Sequence, residues 1–389
     1  MNKKTTFGNL VLVAAITLLF GFFVGINGKD IWREIAPRLG AYVSDELDFS
    51  SVQKTYEVLD NNYDGYLDKE LLIEGAKRGL VAAAGDDYTI FMNRAEAEEF
   101  NKDLSGDIGA GIGVELGLRN GKVVVLRVLQ DNPAMRAGVQ AGDVFLAVDD
   151  ESVVGLSSDE IATKVRGAVG KSVTVKFLRG EEEVTFTMTR EKINNLSLVV
   201  EYAGDVAVVR VSRFDEDTGS LMGKAADEIV ANGAKKVVLD LRGNGGGYVS
   251  AAQDVLSYWL DNQVVLEEKG KWTGDNSLKS SRGKAKLADL KTVVLVDGGT
   301  ASAAEIVAGA LREYSKATLV GTKTFGKGSV QKTVDIGSGE MLKITIAKWY
   351  TPKGINLNEG GLEPDEVVDL TIEDLNANRD PQLDRAKEL

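Results

Sequence analysis

A chain of 389 residues with ordinary apolar content is long enough for two or three domains and at least one sizeable core. It has no histidine and no cysteine, which excludes imidazole-assisted serine or cysteine catalysis, His- or Cys-ligated zinc, iron–sulfur clusters and disulfides. A net charge of -13 argues against nucleic-acid binding, so covalent chemistry here must draw on Ser, Thr, Lys or a carboxylate as nucleophile and on Lys, Tyr, Asp or Glu as base.

At the amino terminus, Lys3 and Lys4 precede an uncharged run from Phe7 to Asn27. Its apolar heart, Leu10 to Ile26, would form a helix of roughly 26 Å, just enough to span a bilayer core with some thinning. No small-x-small cleavage site follows, so residues 1–30 are expected to be an uncleaved signal anchor. The lysines place the amino terminus inside and the rest of the chain outside. Residues 31–105 read as a helical region: Leu71, Leu72, Ile73, Ala76, Leu80 and Val81 fall near one face at helical spacing, which predicts a packing subdomain or stalk without chemistry.

From 106 to 192 the texture changes to short strands between glycine turns. A strand from Lys122 to Leu129 is followed by a short helix, a turn at Ala141-Gly142-Asp143 and a strand from Val144 to Val148. A helix from Ser158 to Ala168 is capped by Ser157 or Ser158, and the alternating segment from Ser172 to Arg190 predicts a hairpin. The run Gly111-Ile112-Gly113-Val114, with Asn132-Pro133-Ala134 and Arg136-Ala137-Gly138, resembles a PDZ domain of the bacterial protease type. Physically, glycine-loop N–H groups would capture a peptide carboxylate while the peptide adds as a strand beside Val114. The alternative is a set of glycines that only form a tight turn.

Residues 193–373 alternate strands (Val206–Val211, Lys235–Arg242, Thr292–Asp297, Ala317–Thr322) with helices (Ser220–Asn232, Tyr248–Leu260, Ser302–Tyr314). Continuous apolar strands between helices predict an α/β core with both sheet faces covered. Glu340 to Pro352 adds a later strand, Glu267 to Asp289 reads as an exposed excursion, and 374–389 as a helical tail.

Three loops at strand ends carry candidate chemistry. Asp240-Leu241-Arg242-Gly243-Asn244-Gly245-Gly246-Gly247 lies between a strand and a helix, where glycines can turn N–H groups toward an anion. It lacks the Gly-Lys-Ser/Thr continuation of a nucleotide loop. In the second loop Ser302 opens a helix among small residues, a position where an N-cap serine worth about 1 kcal/mol is equally at home. In the third, Lys327 stands between Gly326 and Gly328, 25 residues beyond Ser302 and across one helix and one strand. No Asp or Glu occurs between Glu313 and Asp335; a base lysine needs such a setting, because a paired carboxylate would hold it protonated.

The order of these motifs, together with Gly85 to Met92 and the stretch from Lys348 to Val368, makes the chain resemble the C-terminal processing peptidases, the tail-specific serine proteases, over nearly its whole length after the anchor. The resemblance implies an α/β multidomain protein: anchor and helical segment, PDZ-like β-rich domain, and a crotonase-like α/β serine peptidase core. It implies Ser302 as nucleophile, Lys327 as general base, Gln331 holding that lysine, and the Gly246 and Ala303 N–H groups as the oxyanion hole. Gly111, Ile112, Gly113, Val114 and Arg136 would serve substrate binding, with Arg136 linking peptide capture to the catalytic loops. Gly245 stands where the family usually has proline. No cofactor or metal is implied. The implied partners are protein or peptide substrates held by their C-terminal carboxylate, the membrane through the anchor, and a homo-oligomer or adaptor. The implied location is a bacterial inner membrane, single-pass, with the catalytic part in the periplasm or cell exterior. An inactive PDZ scaffold and a crotonase-like acyl-CoA enzyme are the competing readings.

Overall fold

The computed structural model describes residues 47–389 apart from residue 359, together with residues 17 and 21. The expected signal anchor therefore lies outside the described residues; among those described, no helix is long and apolar enough to cross a membrane. The chain divides into two compact units, Met1–Leu72 and Ile73–Leu389. In the first, helix α1 (Ser50–Asn62) begins where the Asp48 carboxylate accepts the Ser50 N–H at 2.8 Å. Helix α2 (Lys69–Ala82) follows, and the face expected to pack leaves Leu71, Ile73 and Leu80 exposed.

After α2 the chain forms strand β1 (Ile90–Met92) and helix α3 (Arg94–Ser105), started by a reciprocal capping box between Asn93 and Glu96. The next segment holds β2 (Ala110–Gly111), β3 (Val114–Arg119), β4 (Lys122–Val128), the short helix α4 (Pro133–Ala137), β5 (Val144–Val148), β6 (Glu151–Ser152), α5 (Ser158–Val165), β7 (Ser172–Arg179), β8 (Glu182–Thr189) and β9 (Glu191–Lys192). Six of these make an antiparallel sheet, in the order β3-β4-β5-β7-β8 with β6 beside β5, and β2 closes on β9. Alternation does the work here: Val173, Val175 and Phe177 of β7 are fully buried with Phe145 and Ile161, while their neighbours face outward. The α5 helix starts at Ser157, whose side chain and Glu160 cap each other's backbone N–H.

The remaining chain builds the larger core from β10 (Leu198–Ala203), β11 (Val206–Val211), α6 (Thr218–Ala231), β12 (Lys236–Asp240), α7 (Val249–Leu256), β13 (Val264–Gly270), β14 (Gly274–Lys279), β15 (Lys291–Val296), α8 (Ala303–Glu313), β16 (Ala317–Gly321), β17 (Ser329–Gly337), β18 (Glu340–Tyr350), β19 (Glu366–Val367), α9 (Ile372–Asn376) and α10 (Pro381–Glu388). A six-stranded sheet runs β10-β11-β12-β15-β16-β19, parallel from β11 onward. Its strands are apolar on both faces because both are covered. Val237, Leu239, Val294 and Val296 pack with residues of α6, α7 and α8, whereas Val238, Val293 and Leu295 pack with Ala386 of α10. The C-terminal tail is thus a covering layer of this sheet.

A second sheet orders β1-β18-β13-β14, with β17 alongside β18. Two expectations are corrected by it. The stretch read as an exposed excursion contains the antiparallel hairpin β13–β14, whose backbone pairs strand to strand and whose Glu267 and Glu268 are half-buried. The segment 31–105, read as helical and free of chemistry, supplies β1 to this sheet, with Ile90 opposite Lys343 of β18.

Candidate active site

Ser302 ends the loop after β15 and caps α8 with φ 54° and ψ -117°. A non-glycine residue there costs on the order of 1–3 kcal/mol and persists only where its surroundings hold it. The strain is held from two sides. The Ser302 N–H donates to Glu305 Oε2 at 2.9 Å, and the preceding Ala301 N–H donates to the Asn244 carbonyl at 2.9 Å.

Glu305 is fully buried and reaches further than the serine. Its Oε1 accepts the Thr324 hydroxyl at 2.6 Å and the Gly326 N–H at 2.8 Å, and its Oε2 also accepts the Lys327 N–H at 3.0 Å. A carboxylate this buried needs several donors, and the donors it has come from the turn bearing Ser302 and the loop bearing Lys327. Glu305 therefore fixes the two loops relative to each other. Sequence reasoning missed it because a glutamate three residues into a helix reads as the far half of a capping box.

The loop of Lys327 is also held from behind. The Trp349 indole N–H donates to the Lys327 carbonyl at 2.8 Å, Asn356 Nδ2 donates to the Gly328 carbonyl at 2.9 Å, and the Gly328 N–H donates to Asn358 Oδ1 at 2.7 Å. Residues 349–358 thus brace the loop's backbone and leave the lysine side chain to enter a cavity of about 470 Å³ that Ser302, Gln331, Gly246 and Trp349 also line. The Lys327 ammonium group makes no ion pair among the described residues; it lies 5.1 Å from the centre of the Tyr88 ring. Burial pushes its pKa below the usual lysine value and the Lys343 charge adds to this, while Asp86 and Glu305 oppose it. The local lack of carboxylates was legible in the sequence; Asp86 and Tyr88, about 240 residues away, were not.

The glycine loop after β12 closes the other side. Gly246 adopts φ 102°, and a Cβ there would stand 2.9 Å from both the Ala301 carbonyl oxygen and Ser302 Cβ, so only glycine lets this loop lie against the serine. Its N–H donates to Asn244 Oδ1 at 2.8 Å and is engaged within its own loop. Ala303 opens α8, where the first amides have no intrahelical acceptor. Gln331 lines the cavity, but its amide donates to Ser329 Oγ at 2.9 Å and Thr345 Oγ1 at 3.2 Å rather than to Lys327. Below the loop, Arg242 is clamped between Asp240 and Asp380 through bonds of 2.8–2.9 Å, which ties the start of α10 to the end of β12.

In the antiparallel domain, Gly111, Ile112, Gly113 and Val114 border a shallow groove with Ala162 and Val165 of α5 and with Arg166 just beyond it. Arg136 is not part of this groove. Its guanidinium pairs with Glu191 at 2.7 Å and donates to the Asp131 carbonyl at 2.7 Å.

Comparison with known proteins identifies the domains that carry these loops. Residues 205–368 match the model of peptidase family S41, residues 110–189 that of the PDZ domain, and residues 34–96 that of the activating protease CtpB N-terminal domain. A probable CtpA-like serine protease of Staphylococcus aureus is 33% identical over 365 residues, covering 93% of this chain and 71% of that protein. One so named from Staphylococcus haemolyticus is 33% identical over 357 residues, covering 91% and 72%. Among solved structures, the photosystem II D1 C-terminal processing protease is 28% identical, with a TM-score of 0.50 over 87% of this chain and 92% of that one. The chain belongs to the CtpA-like serine proteases of peptidase family S41, serine proteases of the C-terminal processing type that carry a PDZ domain.

Proposed function

We propose that this protein is an endopeptidase with a Ser302–Lys327 dyad, built on a crotonase-like α/β core, and that its PDZ domain binds the substrate's C-terminus and gates cleavage nearby. One observation carries the proposal: a strained serine and a half-buried lysine with no ion-pair partner among the described residues line one cavity. Neutral Lys327 takes the proton from Ser302 Oγ as the oxygen attacks the scissile carbonyl. The protonated lysine then gives that proton to the leaving amine. Water hydrolyses the acyl-enzyme by the same route, its proton passing to Lys327 and returning to Ser302. Ala303 and Gly246 are the proposed oxyanion donors, and the Gly246 N–H must leave Asn244 Oδ1 to serve. Gln331 is proposed to steady the lysine side of the cavity. Gly111, Ile112, Gly113 and Val114 are proposed to take the substrate's carboxylate and last residues as an added strand. Five segments are proposed: an anchor at 1–30, a mainly helical region at 31–105 that includes β1, the PDZ domain at 106–192, the peptidase domain at 193–373 and a tail at 374–389. With that single-pass anchor in a bacterial inner membrane, the substrates would be extracytoplasmic proteins.

The test is mass spectrometry of digests of a denatured protein by wild type, Ser302→Ala and Lys327→Ala. Both variants are expected to lose cleavage while keeping their fold. Wild-type kcat/KM should fall as pH drops through the depressed Lys327 pKa, because only the neutral amine accepts a proton. Cleavage that survives either substitution sinks the dyad.

A further inference from the structure

The catalytic cavity contains a second lysine. Lys343 lies on β18, opposite Thr333 of β17 and two residues from Thr345, which accepts the Gln331 amide. Its side chain is only partly accessible, lines the same cavity as Lys327, and makes no ion pair among the described residues. Its ammonium group stands 5.5 Å from the centre of the Phe100 ring on α3. A half-buried, unpaired ammonium group is costly to keep where β17 and β18 would otherwise only need polar or apolar fillers.

We propose that Lys343 is a positioning residue for catalysis: its charge, held in the cavity beside the base, keeps Lys327 in the neutral form that can accept the Ser302 proton. The inference rests on the dyad reading above. Lys327 is faced by Asp86 from the segment before β1, by Glu305 from α8, by Lys343 from β18 and by the neutral ring of Tyr88. Asp86 and Glu305 favour the protonated lysine, so burial alone works against two carboxylates. Among the described residues, Lys343 is the cation that opposes them. Asp103 of α3 and Arg213 also line the cavity, and Arg213 is already committed to Asp215 at 2.9 Å. Burial depresses Lys343 as well, but Lys327 bears burial and the Lys343 charge together. The proposal requires that Lys343 hold its charge while Lys327 gives up its proton.

The experiment compares pH profiles of kcat/KM for the full chain, using an internally quenched peptide with an apolar free carboxyl terminus. In Lys343→Gln the acid limb is expected to move to higher pH, with a loss of about tenfold on that limb that shrinks at alkaline pH. Lys343→Arg, which keeps the charge, is expected to hold the limb in place. Should Lys343→Gln not fold, Lys343→Met keeps the stem over Phe100 and carries the same expectation. A loss equal at every pH, or a rise in KM with the limb unmoved, overturns the proposal and makes Lys343 a packing or substrate-contacting residue. If Lys327→Ala is inactive and the Lys343→Gln limb stays put, only this inference falls. If Lys327→Ala still cleaves, both readings fall.

Discussion

Two glycine loops, one in the PDZ domain and one in the peptidase core, solve the same problem in different ways. In each, a glycine at positive φ lies against a buried asparagine or its neighbours, and the asparagine side chain replaces the backbone pairing that the loop gives up. In the peptidase loop the asparagine bonds the loop to itself and to the neighbouring strand β11. Asn244 Oδ1 accepts the Gly246 N–H and its Nδ2 donates to the Val211 carbonyl at 2.7 Å, so the loop is locked onto the sheet it leaves. In the PDZ loop a Cβ at Gly113 would stand 2.2 Å from Asn132 Cβ, and the Asn132 amide reaches outward. It donates to the Asn194 carbonyl at 2.8 Å and accepts the Asn194 N–H at 2.9 Å, on the segment that leads into the peptidase. Beyond it, Arg213 donates to the Asn195 carbonyl, and the Phe214 N–H donates to the Gly246 carbonyl at 2.9 Å. The peptidase loop is fastened to its own sheet and to the serine loop, whereas the PDZ loop is fastened to the chain that connects the two domains.

The largest effect expected from breaking this comparison is at Gly246. In Gly246→Ala the new methyl meets the Ala301 carbonyl and Ser302 Cβ, neither of which can swing away as a side-chain tip could. A fall of about 10²–10³ in kcat is expected, the size of losing one oxyanion donor, with KM for the same peptide changing much less. The equivalent change in the PDZ loop, Gly113→Ala, pushes on a fully engaged Asn132 instead. It is expected to cost about 1–3 kcal/mol in urea unfolding and to weaken binding of a peptide with a free apolar carboxyl terminus about tenfold. Cleavage of a denatured protein at saturating concentration should be affected less. Equal losses of kcat in the two variants would show that the loops are not separate devices.

Much of the peptidase core was legible in the sequence because buried parallel strands announce themselves as unbroken apolar runs: Val237–Leu239 and Val293–Val296 need no pattern beyond that. Ser302 and Lys327 were legible as loop residues between elements that a strand–helix–strand path returns to one edge. What stayed hidden depends on long-range contact. Glu305 looks like a helix cap until the Lys327 loop is folded onto it. Lys343 looks like the polar phase of an alternating strand, and Tyr88 and Phe100 sit in a segment whose composition suggests only helices. The hairpin β13–β14 was missed because consecutive charged residues, Glu267, Glu268 and Lys269, fall on both faces of β13 and mask the strand period.

The smallest expected effect concerns Arg136, the residue assigned from the resemblance to the link between peptide capture and the catalytic loops. Its ion pair with Glu191 joins α4 to β9, and Glu191 is the β-partner of Gly111, at the foot of the glycine loop. Both side chains of the pair are about half exposed, at 50% and 48%. An exposed pair of this kind is worth about 0.2–1 kcal/mol, too little to reset a two-state switch by itself. Arg136→Ala is therefore expected to lower stability by less than about 1 kcal/mol and to preserve the preference for a free over an amidated carboxyl terminus. The measurement is the ratio of kcat/KM for those two forms of one peptide. If the ratio collapses in Arg136→Ala while Gly113→Ala leaves it intact, the bridge to Glu191, and not the Asn132 bonds to Asn194, is what fastens peptide capture to the active site.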